Sequence, residues 1–153
     1  MNKGRIIFGA GLLIIVATIL MSNYFDNAPE SKDGIHFFKG SWKEAVNKAQ
    51  SENKPIFLDI HATWCGPCKM LKRNTFPDKE VGQYFNAHYI NASIDGESEE
   101  GRELMKRYTL HSYPSLLILD KNENAVLISP GYQSPSRLLE FGRSSFEKVN
   151  STL

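Results

Sequence analysis

From Ile6 to Met21 the chain is an unbroken run of apolar, Gly and Thr residues without a charge, and Lys3 and Arg5 precede it. Downstream the pattern turns periodic. Ser41-Trp42-Lys43-Glu44 has capping-box spacing, and Trp42, Ala45, Val46 and Ala49 follow at helical intervals, which predicts a helix to about Glu52, stopped by Asn53-Lys54-Pro55. Ile56 to Ile60 is a short apolar, β-prone run with Asp59 inside it and reads as a buried central strand. Lys69 to Asn74 continues a helix, Asp78 to Asn86 offers another after Pro77, and His88 to Ile94 reads as a second strand. Glu97 to Tyr108 is the next helix, with Leu104, Met105 and Tyr108 on its buried side. Ser115 to Asp120 and Ala125 to Ser129 are strands joined by the polar turn Lys121-Asn122-Glu123-Asn124, which suits an antiparallel hairpin. Ser134-Pro135 then supplies an N-cap and a first-turn proline for a last helix through Val149. The order β-α-β-α-β-β-α after an initial helix is that of an α/β domain with a central mixed sheet flanked by helices.

The N-terminal run has the form of a signal sequence or membrane anchor and stands apart from the fold. Ser22 to Phe25 can lengthen it to a full span, with Tyr24 and Phe25 at headgroup level. Around Leu20 to Ala28 there is no A-x-A-like pair and no cysteine to accept a lipid, so an uncleaved anchor is favoured over a cleaved, secreted form. The positive charges before the span place everything from about Asp26 onward outside the cytoplasm, on the periplasmic side of a cytoplasmic membrane. The chain thus divides into an anchor at 1–25, a polar tether at 26–34 containing Pro29, Ser31, Asp33 and Gly34, and a domain at 35–153.

A length of 153 residues fits one globular domain plus that segment. With 18 basic against 17 acidic residues, no cationic excess argues for nucleic acid, and a monomer is expected. The two cysteines, Cys65 and Cys68, lie three positions apart, so a bond between them closes a tiny loop and cannot staple distant parts of the chain. That spacing suggests redox work. A Cys-x-x-Cys at a helix start puts the first sulfur near unpaired backbone N–H groups and the positive end of the helix dipole, which favours thiolate and pulls the thiol below the pKa of a free cysteine. Cys65 is therefore the expected nucleophile and Cys68 the buried resolving thiol, with Gly66-Pro67 fixing the turn. Half of a zinc site is the competing reading, but zinc wants four ligands, and His61, His88 and His111 follow no finger pattern. No metal and no cofactor beyond the Cys65–Cys68 pair is expected.

Trp64-Cys65-Gly66-Pro67-Cys68 is identical to the thioredoxin active-site motif, and Ile35 to Val149 resembles the whole thioredoxin domain. The resemblance implies that Asp59, six residues before Cys65, is the buried carboxylate that helps deprotonate Cys68. It also implies that Tyr113-Pro114 is a cis-proline pair facing the disulfide and that Gly131 lines the substrate groove. An unpaired carboxylate within an apolar strand is costly to ionise, which suits a proton acceptor. Two positions depart from the family: Asn91 stands where many thioredoxins pair a lysine with the buried carboxylate, and His61 stands where an aromatic is common. His61 is read as a packed histidine in preference to a proton relay. Asn74-Thr75-Phe76 with Asp78 and Val81 looks like the extracytoplasmic thioredoxin-like domain at the C-terminus of membrane thiol-reductant transporters. The expected activity is reduction of protein disulfides, with a membrane protein as electron donor. A disulfide-forming oxidase or isomerase is the alternative, and a copper-delivery or adaptor module a more distant one.

Overall fold

The computed structural model describes residues 32–151. The apolar run read as an anchor and most of the tether lie outside them, and among the described residues no helix is long and apolar enough to cross a membrane.

Helix α1, Trp42–Glu52, begins at the capping box as the pattern dictates: the Ser41 hydroxyl accepts the Glu44 N–H, and the Glu44 carboxylate accepts the Ser41 N–H at 2.8 Å. Asn53 ends it in the left-handed conformation at φ 52°, and β1, Ile56–His61, follows at once. Helix α2, Gly66–Met70, opens directly after the turn that leaves β1. It runs into a π-turn, Leu71–Thr75, where the sequence predicts continuous α-helix. The wide turn is closed by a bond from the Phe76 N–H to the Leu71 carbonyl, and it lets fully buried Thr75 donate its hydroxyl to the Gln133 carbonyl at 2.7 Å.

Helix α3 is Lys79–His88, capped by the Asp78 carboxylate, which accepts the N–H groups of Glu80 and Val81. It takes in His88, so β2 starts later than the pattern suggests, at Ile90–Asp95. Between them Tyr89 is buried and its hydroxyl donates to the Gly142 carbonyl at 2.6 Å, which fixes the boundary. Helix α4, Glu99–Arg107, starts two residues inside its predicted limit because the Ser98 hydroxyl takes the capping role, accepting the Gly101 N–H at 3.0 Å. Strands β3, Ser115–Leu119, and β4, Ala125–Pro130, form the expected hairpin. Its turn is held by the Asp120 carboxylate, which accepts the N–H groups of Asn122 and Asn124. Helix α5, Pro135–Ser151, closes the domain.

Among the described residues the strands form one sheet in the order β2-β1-β3-β4. Strand β1 pairs parallel with β2 and antiparallel with β3, so it is central and buried on both faces. Its alternate residues supply two cores, which is why it reads as a continuous apolar run. Phe57 joins Leu71, Phe76, Val81, Phe85, Leu116, Ile118 and Leu138 on one face. Ile56, Leu58 and Ile60 join Trp42, Ala45, Val46, Ala49, Leu104 and Leu117 on the other. Each such fully buried side chain contributes about 1.5–3 kcal/mol against exposure, so these two cores fix the end of β1 from which the cysteine motif leaves.

Candidate redox site

The chain leaves β1 at His61 and turns through Ala62, Thr63 and Trp64, so that Cys65 becomes the N-cap of α2. Its backbone is extended at φ −73° and ψ 115°, as a cap requires, and its sulfur accepts the Cys68 N–H at 3.1 Å. Cys65 and Cys68 are joined in a disulfide with S–S 2.06 Å and Cα–Cα 5.3 Å. Both residues are buried, each 3% exposed. On reduction the sulfur that already receives a backbone N–H at a helix start is the one better stabilised as thiolate, and that sulfur belongs to Cys65. Pro67 lies in the first turn, where its missing N–H costs nothing.

Around the disulfide the predicted rim residues come together from distant parts of the chain. Tyr113 packs on the small cluster of Ala62, Cys65 and Cys68. Trp64 is 67% exposed, yet it is oriented: its ring meets that of Tyr113 edge-on at 5.8 Å and its Nε1–H donates to Glu97 Oε1 at 3.0 Å. Burial, helped by the nearby Glu97 and Asp95 carboxylates, pushes the Tyr113 phenol above its usual range. The Tyr113–Pro114 bond is cis, and the Pro114 carbonyl accepts the Gly131 N–H at 2.7 Å. Gly131 has φ +86°, a left-handed conformation that disfavours any side chain. Gly96 lies under Tyr113, and a Cβ there would stand 2.4 Å from the tyrosine ring, so only glycine lets the ring close over this side of the site. Gly66 by contrast has open space where a Cβ would go.

Asp59 is buried, 1% exposed, as its place in β1 implies. Its surroundings differ from what the family comparison suggests. Asn91 stands opposite Phe57 in the parallel register, and its Nδ2 donates to the His36 carbonyl and to Asn86 Oδ1. Ser93 is the residue opposite Asp59, and its hydroxyl donates to Asp59 Oδ2 at 2.8 Å. His61 Nδ1 lies 3.5 Å from the same oxygen and 3.2 Å from the Ser93 hydroxyl, so His61 is joined to the carboxylate as well as packed. Asp59 Oδ1 is buried without a hydrogen-bond partner among the described residues. Ser93 and Glu97 carried no signal in the sequence, because which residue faces which across parallel strands depends on long-range pairing.

Among the described residues no group of three or more His, Cys, Asp or Glu is placed to hold a metal ion. A cavity of about 530 Å³ lies at the opposite end of β1, lined by Asn53, Lys54, His88, Lys121 and Phe146 among others, and contains none of the predicted site residues.

Residues 38–121 match a family model described as thioredoxin-like. The solution structure of a proposed disulphide-isomerase from Bacteroides thetaiotaomicron is 40% identical, with a TM-score of 0.65 over 74% of this chain and 96% of that one. The thiol:disulfide interchange protein DsbD of Ralstonia nicotianae is 30% identical over 102 residues, which make up 66% of this chain and 16% of that protein, so the chain matches about one-sixth of its length. The oxidised C-terminal domain of DsbD from Neisseria meningitidis is 22% identical with a TM-score of 0.60 over 72% of this chain and 98% of that domain, a likeness of fold.

Proposed function

The chain belongs to the thioredoxin-like family, and from that premise we propose that it reduces protein disulfides outside the cytoplasm while its N-terminal segment holds it at a membrane. Its disulfide oxidoreductase chemistry runs through Cys65 and Cys68. Cys65 thiolate attacks a substrate disulfide, one substrate sulfur leaves, and a mixed disulfide forms. Cys68, deprotonated by Asp59, then attacks Cys65 and releases the second substrate thiol. Trp64, Gly66, Pro67, Tyr113, Pro114 and Gly131 form the surface that the substrate chain meets. The redox-active disulfide is the only cofactor the cycle needs, and a membrane protein resupplies the electrons.

The observation that carries this reading is the position of Cys65: a sulfur receiving a backbone N–H at a helix start, six residues along the chain from the buried carboxylate of Asp59. The Gly66-Pro67 pair and the match to a segment of the Ralstonia protein support exchange in the reducing direction. The apolar run with Lys3 and Arg5 before it supports the placement outside the cytoplasm. A second reading, isomerisation of wrong disulfides, is favoured by the description of the 40% identical Bacteroides protein.

The deciding measurement is the potential of the Cys65–Cys68 couple in the full chain, equilibrated against dithiothreitol and glutathione buffers. A value near roughly −270 mV is expected for a reductase; one near roughly −180 mV supports the isomerase, and one near roughly −120 mV indicates an oxidant. Trapping with Cys68→Ser is expected to place the mixed disulfide on Cys65. A membrane-impermeant thiol reagent is expected to label the reduced pair in intact cells.

A further inference from the structure

The face of β1 that carries Phe57 also carries Asp59 and His61, and the matching face of β2 carries Asn91, Ser93 and Asp95. At 1% exposure Asp59 has no direct route to water, so a proton that it accepts has to leave through a neighbour. Its neighbours are ordered for that. The Ser93 hydroxyl donates to Asp59 Oδ2 at 2.8 Å and its oxygen lies 3.2 Å from His61 Nδ1, so its one proton can turn to either partner. The His61 side chain is 13% exposed, the point at which this row of groups reaches solvent. Asp59 Oδ1, buried and without a hydrogen-bond partner among the described residues, is an acceptor left open for an incoming proton. A hydrogen-bond row that starts at an open acceptor and ends at a solvent-touching imidazole has more connectivity than packing requires.

We propose that Ser93 and His61 are positioning residues that carry protons between Asp59 and solvent in the second half of disulfide exchange; the inference rests on Asp59 being the proton acceptor for Cys68. In that half-reaction the Cys68 thiol yields its proton to Asp59, Asp59 hands it on before the sulfur attacks, and the Cys68 thiolate then bonds to Cys65. The bond from Cys65 to the substrate sulfur breaks, and that sulfur leaves with the electron pair and is protonated from water. The handover runs from Asp59 to Ser93 Oγ as the Ser93 proton passes to the bare Nδ1 of a neutral Nε2–H imidazole of His61; the imidazolium then gives its Nε2 proton to water, and the ring regains the Nε2–H form by exchange with water. Imidazole suits the last position because it can take a proton at one ring nitrogen and release one from the other. The ionisable groups around it are Asp59 on its own strand and Asp95, its register partner on β2. At this end of β1, strand β3 brings the uncharged Leu116 and Ser115 alongside Asp59 and Ile60, and α2, which follows, carries Lys69 and the two cysteines.

The test is single-turnover reduction of a disulfide-bonded fluorogenic peptide by the reduced full chain between pH 5.5 and 8.5, with Cys68→Ser reporting the first half-reaction alone. His61→Phe, His61→Gln and Ser93→Ala are each expected to slow release of the second peptide thiol about tenfold near neutral pH and to flatten its pH profile, leaving mixed-disulfide formation unchanged. His61→Gln can hydrogen-bond but cannot ferry a proton, and an unchanged urea midpoint shows that it folds. Wild-type rate and profile in His61→Gln would overturn the relay, since a hydrogen bond alone would then suffice. Slow release in Asp59→Asn with both His61 variants and Ser93→Ala unaffected would overturn the relay and leave Asp59 as proton acceptor. Wild-type release in Asp59→Asn would remove the acceptor, and the relay with it.

Discussion

Trp64 shows how a single side chain can matter to function and hardly at all to the fold. It is 67% exposed and, among the described residues, is held by the edge of the Tyr113 ring and the Glu97 carboxylate. Trp64→Ala is therefore expected to shift the urea midpoint by less than the equivalent of about 0.5 kcal/mol, as surface substitutions do. The same change is expected to raise KM for a protein disulfide several-fold with a smaller effect on a small-molecule disulfide; equal effects on both would deny the ring a part in protein recognition. At this scale the sequence was informative about identity and poor about partners. Cys65, Cys68, Asp59 and the cis Tyr113–Pro114 bond could be named from the motif and its offsets. Ser93 could not, because alternation tells which face a residue occupies and not which residue stands opposite. Asn91 was legible as a departure, standing where many thioredoxins pair a lysine with the buried carboxylate, but its place beside Phe57 came only with the register.

Elements were legible wherever a local device decides them. The capping box at Ser41 and Glu44 and the left-handed Asn53 bound α1 at the predicted residues. Ser41→Ala removes the hydroxyl that accepts the Glu44 N–H and is expected to cost about 1 kcal/mol, read as a lower urea midpoint with an unchanged slope. Ser41→Asp, which keeps an acceptor, is expected to recover most of it. Boundaries set by tertiary contacts were not legible. The π-turn at Leu71–Thr75 exists because Thr75 and Phe76 have to reach Gln133 and the core, and nothing in the helical periodicity announces it. The late start of β2 likewise follows from the Tyr89 hydroxyl finding the Gly142 carbonyl more than fifty residues away.

For the whole molecule, the alternation of apolar runs and helical segments was enough to specify a mixed sheet between helices, since β1 buries both of its faces and can only be central. The far end of the domain carries a pH dependence. His88 lies 4.4 Å from the Tyr84 ring and 4.7 Å from the Phe146 ring, and burial, with Lys54 adding a like charge, holds its pKa below the usual 6.5. The unfolded chain therefore binds this proton more readily than the folded one. The stability that His88 contributes is present above pH 6.5 and is lost as pH falls through its lower folded value. The urea midpoint is expected to fall between about pH 7.5 and 5.5, and to fall less in His88→Gln; an equal fall in both would assign the dependence to other groups.

The rim that selects a partner is assembled from residues around 64, 96, 113 and 131, tied by the Gly131 N–H on the Pro114 carbonyl. Its last members are therefore synthesised well after the cysteine pair, by several seconds at roughly 5–20 residues per second. For that interval a nascent chain holds thiols with no surface to discriminate what they meet, so discrimination arrives only with the second half of the domain.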